Sequence, residues 1–178
     1  MSHMNVKISG FGGQGVILSS YIIGKAASIF DGKNASMTQA YGPEARGGAC
    51  SAQVVISSRD VDYPLVDSAD VLIALSQEGY DKFLPILRPG GILCYDEDLV
   101  TVLQPHDTII AKKVPATRIA EDLGKKIVAN IVMLGFAVAH AKITSFEAMM
   151  DAVAKSVPAK FLELNEKAFQ IGFDYKGE

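Results

Sequence analysis

The chain has 178 residues, 49% of them hydrophobic and 21% charged, with 17 basic against 20 acidic side chains and a formal net charge of −3. That length suits one domain able to bury a sizeable core. The slightly acidic balance argues against general nucleic-acid binding, which needs a basic face, and no stretch is long and apolar enough to read as a membrane-spanning helix.

In chain order, Val6 to Ser9 reads as a short strand that runs into Gly10-Phe11-Gly12-Gly13-Gln14-Gly15. Val16 to Phe30 follows as a helix, with Ile17, Tyr21, Gly24 and Ser28 on one side, and Asp31-Gly32-Lys33 stops it. Ala35 to Ala40 is the second predicted strand. Tyr41 to Gly48 is a loop by its glycine and proline content, and Ala49 to Ser57 is the third strand. Ser58 to Ser68 is a polar connection. Asp70 to Leu75 is a nearly continuous apolar run, which suits a central strand buried on both faces. Ser76 is placed to cap a helix reaching about Leu87, and Arg88-Pro89-Gly90-Gly91 breaks that helix. Ile92 to Tyr95 and Asp107 to Lys112 are further strands. Pro115 to Leu123, Ile127 to Ala141, Ser145 to Ser156 and Ala159 to Gly172 are helices. Strands alternating with helices indicate a layered α/β fold with a largely parallel sheet. The strands flanking Tyr41–Gly48 share one loop and can pair antiparallel, so the sheet is expected to be mixed.

The first four residues, Met1-Ser2-His3-Met4, resemble a vector remnant ahead of a native start at Met4. With no charged n-region before an apolar h-region, residues 5–178 are expected to form a single cytoplasmic domain. The two cysteines, Cys50 and Cys94, are too few for a four-thiolate iron–sulfur cluster and read as free, buried thiols. Any metal centres for electron transfer would then sit on other chains. His140 lies in an apolar helix and reads as a core or cap residue, and His106 lies in a polar turn. Neither has a serine or cysteine nucleophile near it in sequence, so no catalytic residue is assigned.

Gly10, Gly12 and Gly15 match the spacing G-x-G-x-x-G between a strand and a helix. In a dinucleotide site the first glycine permits a tight turn, the second lets the ligand approach the backbone, and the third lets the helix pack closely. The helix N-terminus then offers free N–H groups to an anion. The acidic residue expected about 20 positions on, after the second strand, is missing: that strand ends in Thr38-Gln39-Ala40, and Asp31 precedes it. Three readings stay open for Gly10, Gly12, Gly13, Gln14 and Gly15: a tight turn with close packing only, an anion or partner contact, or a dinucleotide site. The Gln14 amide can donate and accept, which suits the second.

In the second loop Pro43 stiffens the backbone, Glu44 and Arg46 place opposite charges two residues apart, and Gly47 and Gly48 permit left-handed turns. Arg46 can grip a carboxylate or phosphate in a bidentate way. A solvated loop with a weak ion pair is the plain alternative.

Gly10–Val16 taken together with Gln39-Ala40-Tyr41-Gly42-Pro43-Glu44-Ala45-Arg46-Gly47-Gly48 resembles the gamma subunits of 2-oxoacid:ferredoxin oxidoreductases, most of all the 2-oxoglutarate branch. Asp70 to Leu75 and Leu87-Arg88-Pro89-Gly90-Gly91 extend the resemblance along most of the chain. The resemblance implies a Rossmann-like, three-layer α/β/α domain with a mostly parallel, partly mixed sheet. It also implies an accessory subunit in a complex that oxidatively decarboxylates a 2-oxoacid, forms an acyl-CoA and reduces ferredoxin. Thiamine diphosphate, magnesium and iron–sulfur clusters would sit on alpha, beta and delta partners, with none held by this chain alone. Gly10, Gly12, Gly13, Gln14 and Gly15 would contact an anion, coenzyme A or a partner, and Tyr41, Glu44, Arg46 and Gly47 would form a partner interface. A freestanding nucleotide-binding module and the small subunit of an indolepyruvate oxidoreductase are the alternatives. An isolated subunit would expose an interface and could form a homodimer.

Overall fold

The computed structural model describes residues 3–41, 49–61, 67–102 and 108–177, with Tyr41 and Ala49 described by their backbone alone. Among the described residues six strands form one sheet: β1 His3–Phe11, β2 Asn34–Tyr41, β3 Ala49–Ser57, β4 Ala69–Ala74, β5 Leu87–Asp96 and β6 Ile110–Val114. The helices are α1 Val16–Lys25, α2 Gln77–Phe83, α3 Ala116–Asp122, α4 Ala129–Ala141, α5 Phe146–Ala154 and α6 Leu162–Asp174. Strand order is β2-β3-β1-β4-β5-β6. β1, β4, β5 and β6 run parallel, while β3 is antiparallel to both β1 and β2. The expected mixed, mostly parallel sheet is what forms, because the seven residues between Tyr41 and Ala49 are too few for a crossover connection.

The sheet's two faces are covered unequally. Val6, Ile8, Val54, Ile56, Val71, Ile73 and Cys94 point to one face, where Ile22 and Ile23 of α1, Ile131 and Leu134 of α4, Met149 of α5 and Phe169 of α6 complete the main core. Leu72, Leu93 and Val55 point the other way, into a smaller cluster closed by Tyr80 of α2 and by Val100 after β5. α4 and α6 cross at backbone contact. A Cβ on Gly135 would stand 2.8 Å from the Phe173 nitrogen, and one on Gly172 would stand 2.8 Å from the Val132 carbonyl carbon.

Local chemistry explains most boundaries. The Ser76 hydroxyl accepts from the Gly79 N–H at 3.1 Å and starts α2, and Ser145 does the same for Ala148 at the start of α5. Several boundaries differ from the sequence reading. α2 ends at Phe83 and tightens into a 3₁₀ turn at Leu84–Ile86, because Pro85 has no N–H to continue it. Leu87-Arg88-Pro89-Gly90-Gly91 does not merely break a helix; it opens β5, whose pairing with β4 shifts register between Ala69 and Val71. β6 sits later than expected, since Ile110 to Val114 is set by pairing with Ile92 to Asp96. The two residues ahead of Asn5 also join the sheet, with His3 opposite Ser57 and Met4 opposite Ile56.

Candidate functional site at the glycine loop

The parallel strands β1, β4, β5 and β6 all end on one side of the sheet, and the glycine loop closes β1 there. β1 leads through α1 toward β2 and β3 on one side, while β4 leads through α2 to β5 on the other. The β1/β4 boundary is therefore the switch point where an α/β sheet offers a ligand crevice.

Gln14 spans that crevice. Its Oε1 accepts from the Phe11 N–H, and its Nε2 donates to the Leu75 carbonyl at 2.8 Å. The side chain thus ties the end of β1 to the end of β4 and fills space between them. The glycines serve this arrangement in ways that spacing alone did not reveal. Gly10 lies within β1, paired opposite Cys50, rather than in the turn; a Cβ there would meet Gln14 Oε1 at 2.7 Å and Leu75 Cβ at 3.1 Å. Gly12 and Gly13 are exposed at the tip, and Gly13 has φ +95° with open space where a Cβ would point. Gly15 starts α1 at φ +75°, and its missing side chain makes room for the Asn130 amide of α4, whose Cγ would lie 2.8 Å from a Cβ. It is thus α4, not the strand, that packs closely on Gly15. No side chain caps α1 and no acid sits in its first turn, so its first N–H groups are not satisfied by a side-chain cap.

Two pockets open beside the loop and share Gly13, Ile127 and Asn130. The first, about 280 Å³, is bounded by Gln14, Asp96, Thr117 and Lys126. The second, about 270 Å³, is mainly apolar, walled by Leu18, Ile131, Val157, Phe161 and Leu164. Asp96, fully buried at the end of β5, accepts from the Thr117 hydroxyl at 2.6 Å, from the Thr117 N–H at 3.0 Å and from the Asp98 N–H at 3.1 Å. Burial pushes its carboxyl above the usual range, and the Thr117 hydroxyl works against that. Asn130 is 4% exposed, and its Nδ2 reaches the Ser19 hydroxyl at 3.4 Å. Ile127 is 73% exposed at the rim shared by the two pockets. The loop is thus flanked by an apolar pocket and by a more polar one that holds Asp96, Asn130 and Lys126, the last paired with Glu121 at 3.4 Å. Among the described residues no group of three or more His, Cys, Asp and Glu side chains converges on a metal position.

The remaining sequence candidates fall elsewhere. Asp31, the acid on the wrong side of the second strand, accepts from the Ser145 hydroxyl at 2.7 Å and its N–H at 3.0 Å, so it pins α5 rather than facing the loop. His140 is half-buried, packs on Phe136 with ring centroids 4.2 Å apart and bonds the carbonyl of Tyr175, the C-cap of α6, through Nε2 at 2.8 Å, so of the core and cap readings it fits the cap. Both cysteines are free and buried. Tyr41 ends β2, while Glu44, Arg46 and Gly47 lie outside the described residues, as does His106. Asp96, Thr117, Lys126 and Asn130 were not singled out. Asn130 carried a signal, being the one amide in an otherwise apolar helix; Asp96 carried only its position at a strand end.

The family model for pyruvate ferredoxin/flavodoxin oxidoreductase matches residues 5–175. The chain belongs to this family. Among the family's members, the 2-oxoglutarate synthase subunit KorC of Methanocaldococcus jannaschii is 46% identical over 175 residues, covering 97% of this chain and 94% of that subunit. The crystal structure of a keto/oxoacid ferredoxin oxidoreductase gamma subunit from Geobacter sulfurreducens superposes with a TM-score of 0.88 at 44% identity, over 98% of this chain and 96% of that one. The ketoisovalerate oxidoreductase subunit VorA of Methanothermobacter marburgensis is 38% identical over 97% of this chain, which spans only 36% of that longer subunit. In this family the domain thus occurs both as a chain of its own and as part of a larger one.

Proposed function

We propose that this chain is the gamma subunit of a 2-oxoglutarate:ferredoxin oxidoreductase. The complex would decarboxylate 2-oxoglutarate oxidatively, join the acyl group to the coenzyme A thiol, release carbon dioxide and a proton, and pass two electrons to ferredoxin. The observation that carries this reading is the 46% identity to a 2-oxoglutarate synthase subunit along nearly the full length of both chains. It outweighs the freestanding nucleotide-binding alternative. The crevice such a module would use is bridged by Gln14, and Asp31 is committed to Ser145.

In this reading the chain works with alpha, beta and delta partners, which would carry thiamine diphosphate, magnesium and the iron–sulfur clusters. Two buried cysteines support that division, since a four-thiolate cluster needs twice as many. Gly12, Gly13, the α1 N-terminus and the two pockets would border the coenzyme A path: the apolar lobe suits an alkyl amide arm, Asn130 an amide, and Lys126 a phosphate. Tyr41, Glu44, Arg46 and Gly47 would meet a partner subunit. The relative in which this domain is part of a longer chain supports a domain that functions while attached to others.

The test is to purify the complex through a tag on this chain and assay coenzyme A-dependent reduction of a viologen dye. 2-Oxoglutarate, pyruvate and indolepyruvate are compared. Activity with 2-oxoglutarate above the other two supports the assignment, activity with another acid moves the chain to that branch, and a lone inactive protein from an active lysate overturns it. Within an active complex, Asn130→Leu should raise KM for coenzyme A while leaving KM for the oxoacid unchanged; equal effects on both would reject the coenzyme A assignment.

A further inference from the structure

Lys7 is a buried cation without an acid. It lies on β1 opposite Gln53 of β3, and its side chain runs under α2 at 7% exposure. Lysines that deep are ordinarily paired. Lys33, Lys113 and Lys126, all closer to solvent, each face a carboxylate, at 3.6, 3.3 and 3.4 Å. Among the described residues Lys7 faces none. Its contacts are Gln53 Oε1 at 3.5 Å, at the outer limit of a hydrogen bond, and the Phe83 ring centroid, 4.3 Å from Nζ. An ammonium carries three donors, so two are left over.

A second cation converges on the same place. Lys82, in the last turn of α2, holds its Nζ 5.5 Å from the same ring. Burial first, and then the charge of Lys82, push the Lys7 ammonium below the usual lysine range. Lys82 is exposed and likewise forms no ion pair among the described residues, so the two lysines meet the surface beside Phe83. The sheet beneath them is polar: Ser9 of β1 and Ser51 and Gln53 of β3 are buried on this face. Two like charges held at a desolvated spot oppose each other, and an anion between them removes that cost.

We propose that Lys7 and Lys82 are the two arms of a carboxylate-binding site, with Gln53 orienting the Lys7 ammonium and Phe83 shielding it. A carboxylate fits better than a phosphate for two reasons. The two donors left on Lys7 match its two oxygens. Both lysines also lie at the C-terminal end of α2, whose partial negative charge opposes a dianion more than a monoanion. The carboxylate is the same chemistry whether it belongs to a side chain of a partner subunit or to a free carboxylic acid. The site shares no residue with the two pockets at the glycine loop. The inference stands independently of the oxidoreductase assignment.

NMR titration of the isolated full-length chain with sodium acetate, exchanged for chloride at constant ionic strength, tests it. The Gln53 side-chain amide and the Lys7 ε-methylene should shift and saturate. The Lys7 titration midpoint should rise in acetate, because a neighbouring anion favours the charged form. Lys82 is the one charged side chain acting on Lys7 among the described residues, so that rise reports the added anion. Lys7→Met should weaken binding about tenfold or more. Lys82→Met, at an exposed position that leaves the fold intact, should weaken it about threefold. Lys167→Met on α6 should change nothing. Shifts that do not saturate, or binding that survives both substitutions, overturn the proposal. Lys7→Met in a tagged chain purified from its host then identifies the source. Loss of co-purifying subunits assigns the carboxylate to a partner, and unchanged assembly assigns it to a free acid.

Discussion

Gln14 Nε2 donates to the Leu75 carbonyl at 2.8 Å while its Oε1 accepts from the Phe11 N–H, so one side chain joins the ends of two neighbouring parallel strands. Gln14→Ala removes both bonds and should lower stability by about 1–2 kcal/mol. Gln14→Glu should cost more, since it turns the donor facing Leu75 O into a second acceptor. Urea denaturation of the isolated chain checks the order. Equal stability of all three forms would show that the bridge contributes nothing.

The α4–α6 crossing gives a second prediction. Gly172→Ala would press a methyl group against Val132 backbone atoms, which move only if the helices separate, and should cost about 3 kcal/mol. Gly135→Ala strains the same crossing from the other side. Once one methyl has parted the helices the other finds room, so the double variant should lose less than the sum of the two. Additive losses in urea titrations would contradict a shared crossing.

Lys7 gives a pH dependence. Its side chain lies under α2, with Nζ 4.3 Å from the Phe83 ring centroid and 3.5 Å from Gln53 Oε1. Burial first, then the charge of Lys82, hold its ammonium below the usual lysine range. The unfolded chain therefore binds more protons than the folded one between the lowered value and about 10.4, the ordinary lysine value. Stability from this residue is at its least at neutral pH and rises as pH climbs through that window. Lys7→Met should lack the rise. Urea midpoints at neutral and alkaline pH, compared for the two proteins, should converge as pH increases; a constant difference would count against the mechanism.

Cys94 is fully buried on β5, and burial pushes its thiol up to about 12, with Lys112 acting weakly in the other direction. The thiolate is the reactive form. A disulfide reagent at mildly alkaline pH should therefore label Cys94 only as fast as the protein opens, and denaturant should accelerate labelling in step with unfolding. Rapid labelling of Cys94 in the native protein would refute this.

Much of the fold could be read along the chain. β3 matches its predicted span, Ala49–Ser57, at both ends, and the apolar run 70–75 forms the central strand β4 nearly as read. Ser76 caps the helix it was expected to cap, and Ser145 begins α5 in the same way. These features are local: alternation, an uninterrupted apolar run and a hydroxyl three residues from an N–H all lie within a few positions. The glycine spacing located the loop for the same reason.

Tertiary structure decided what the loop does. Gly10 is small because Gln14 and Leu75 crowd it, Gly15 because Asn130 does, and Asp31 is unavailable to any ligand because Ser145, 114 positions away, occupies it. Asp96, Thr117 and Asn130 become one pocket wall only when β5, α3 and α4 converge. That β2 and β6 stand at the two edges of the sheet was likewise fixed by strand order. Sequence determined the elements and their caps, because short-range hydrogen bonds and burial periodicity act between near neighbours. The site and the edge depend on which distant residues come within a few ångströms, and packing alone settles that.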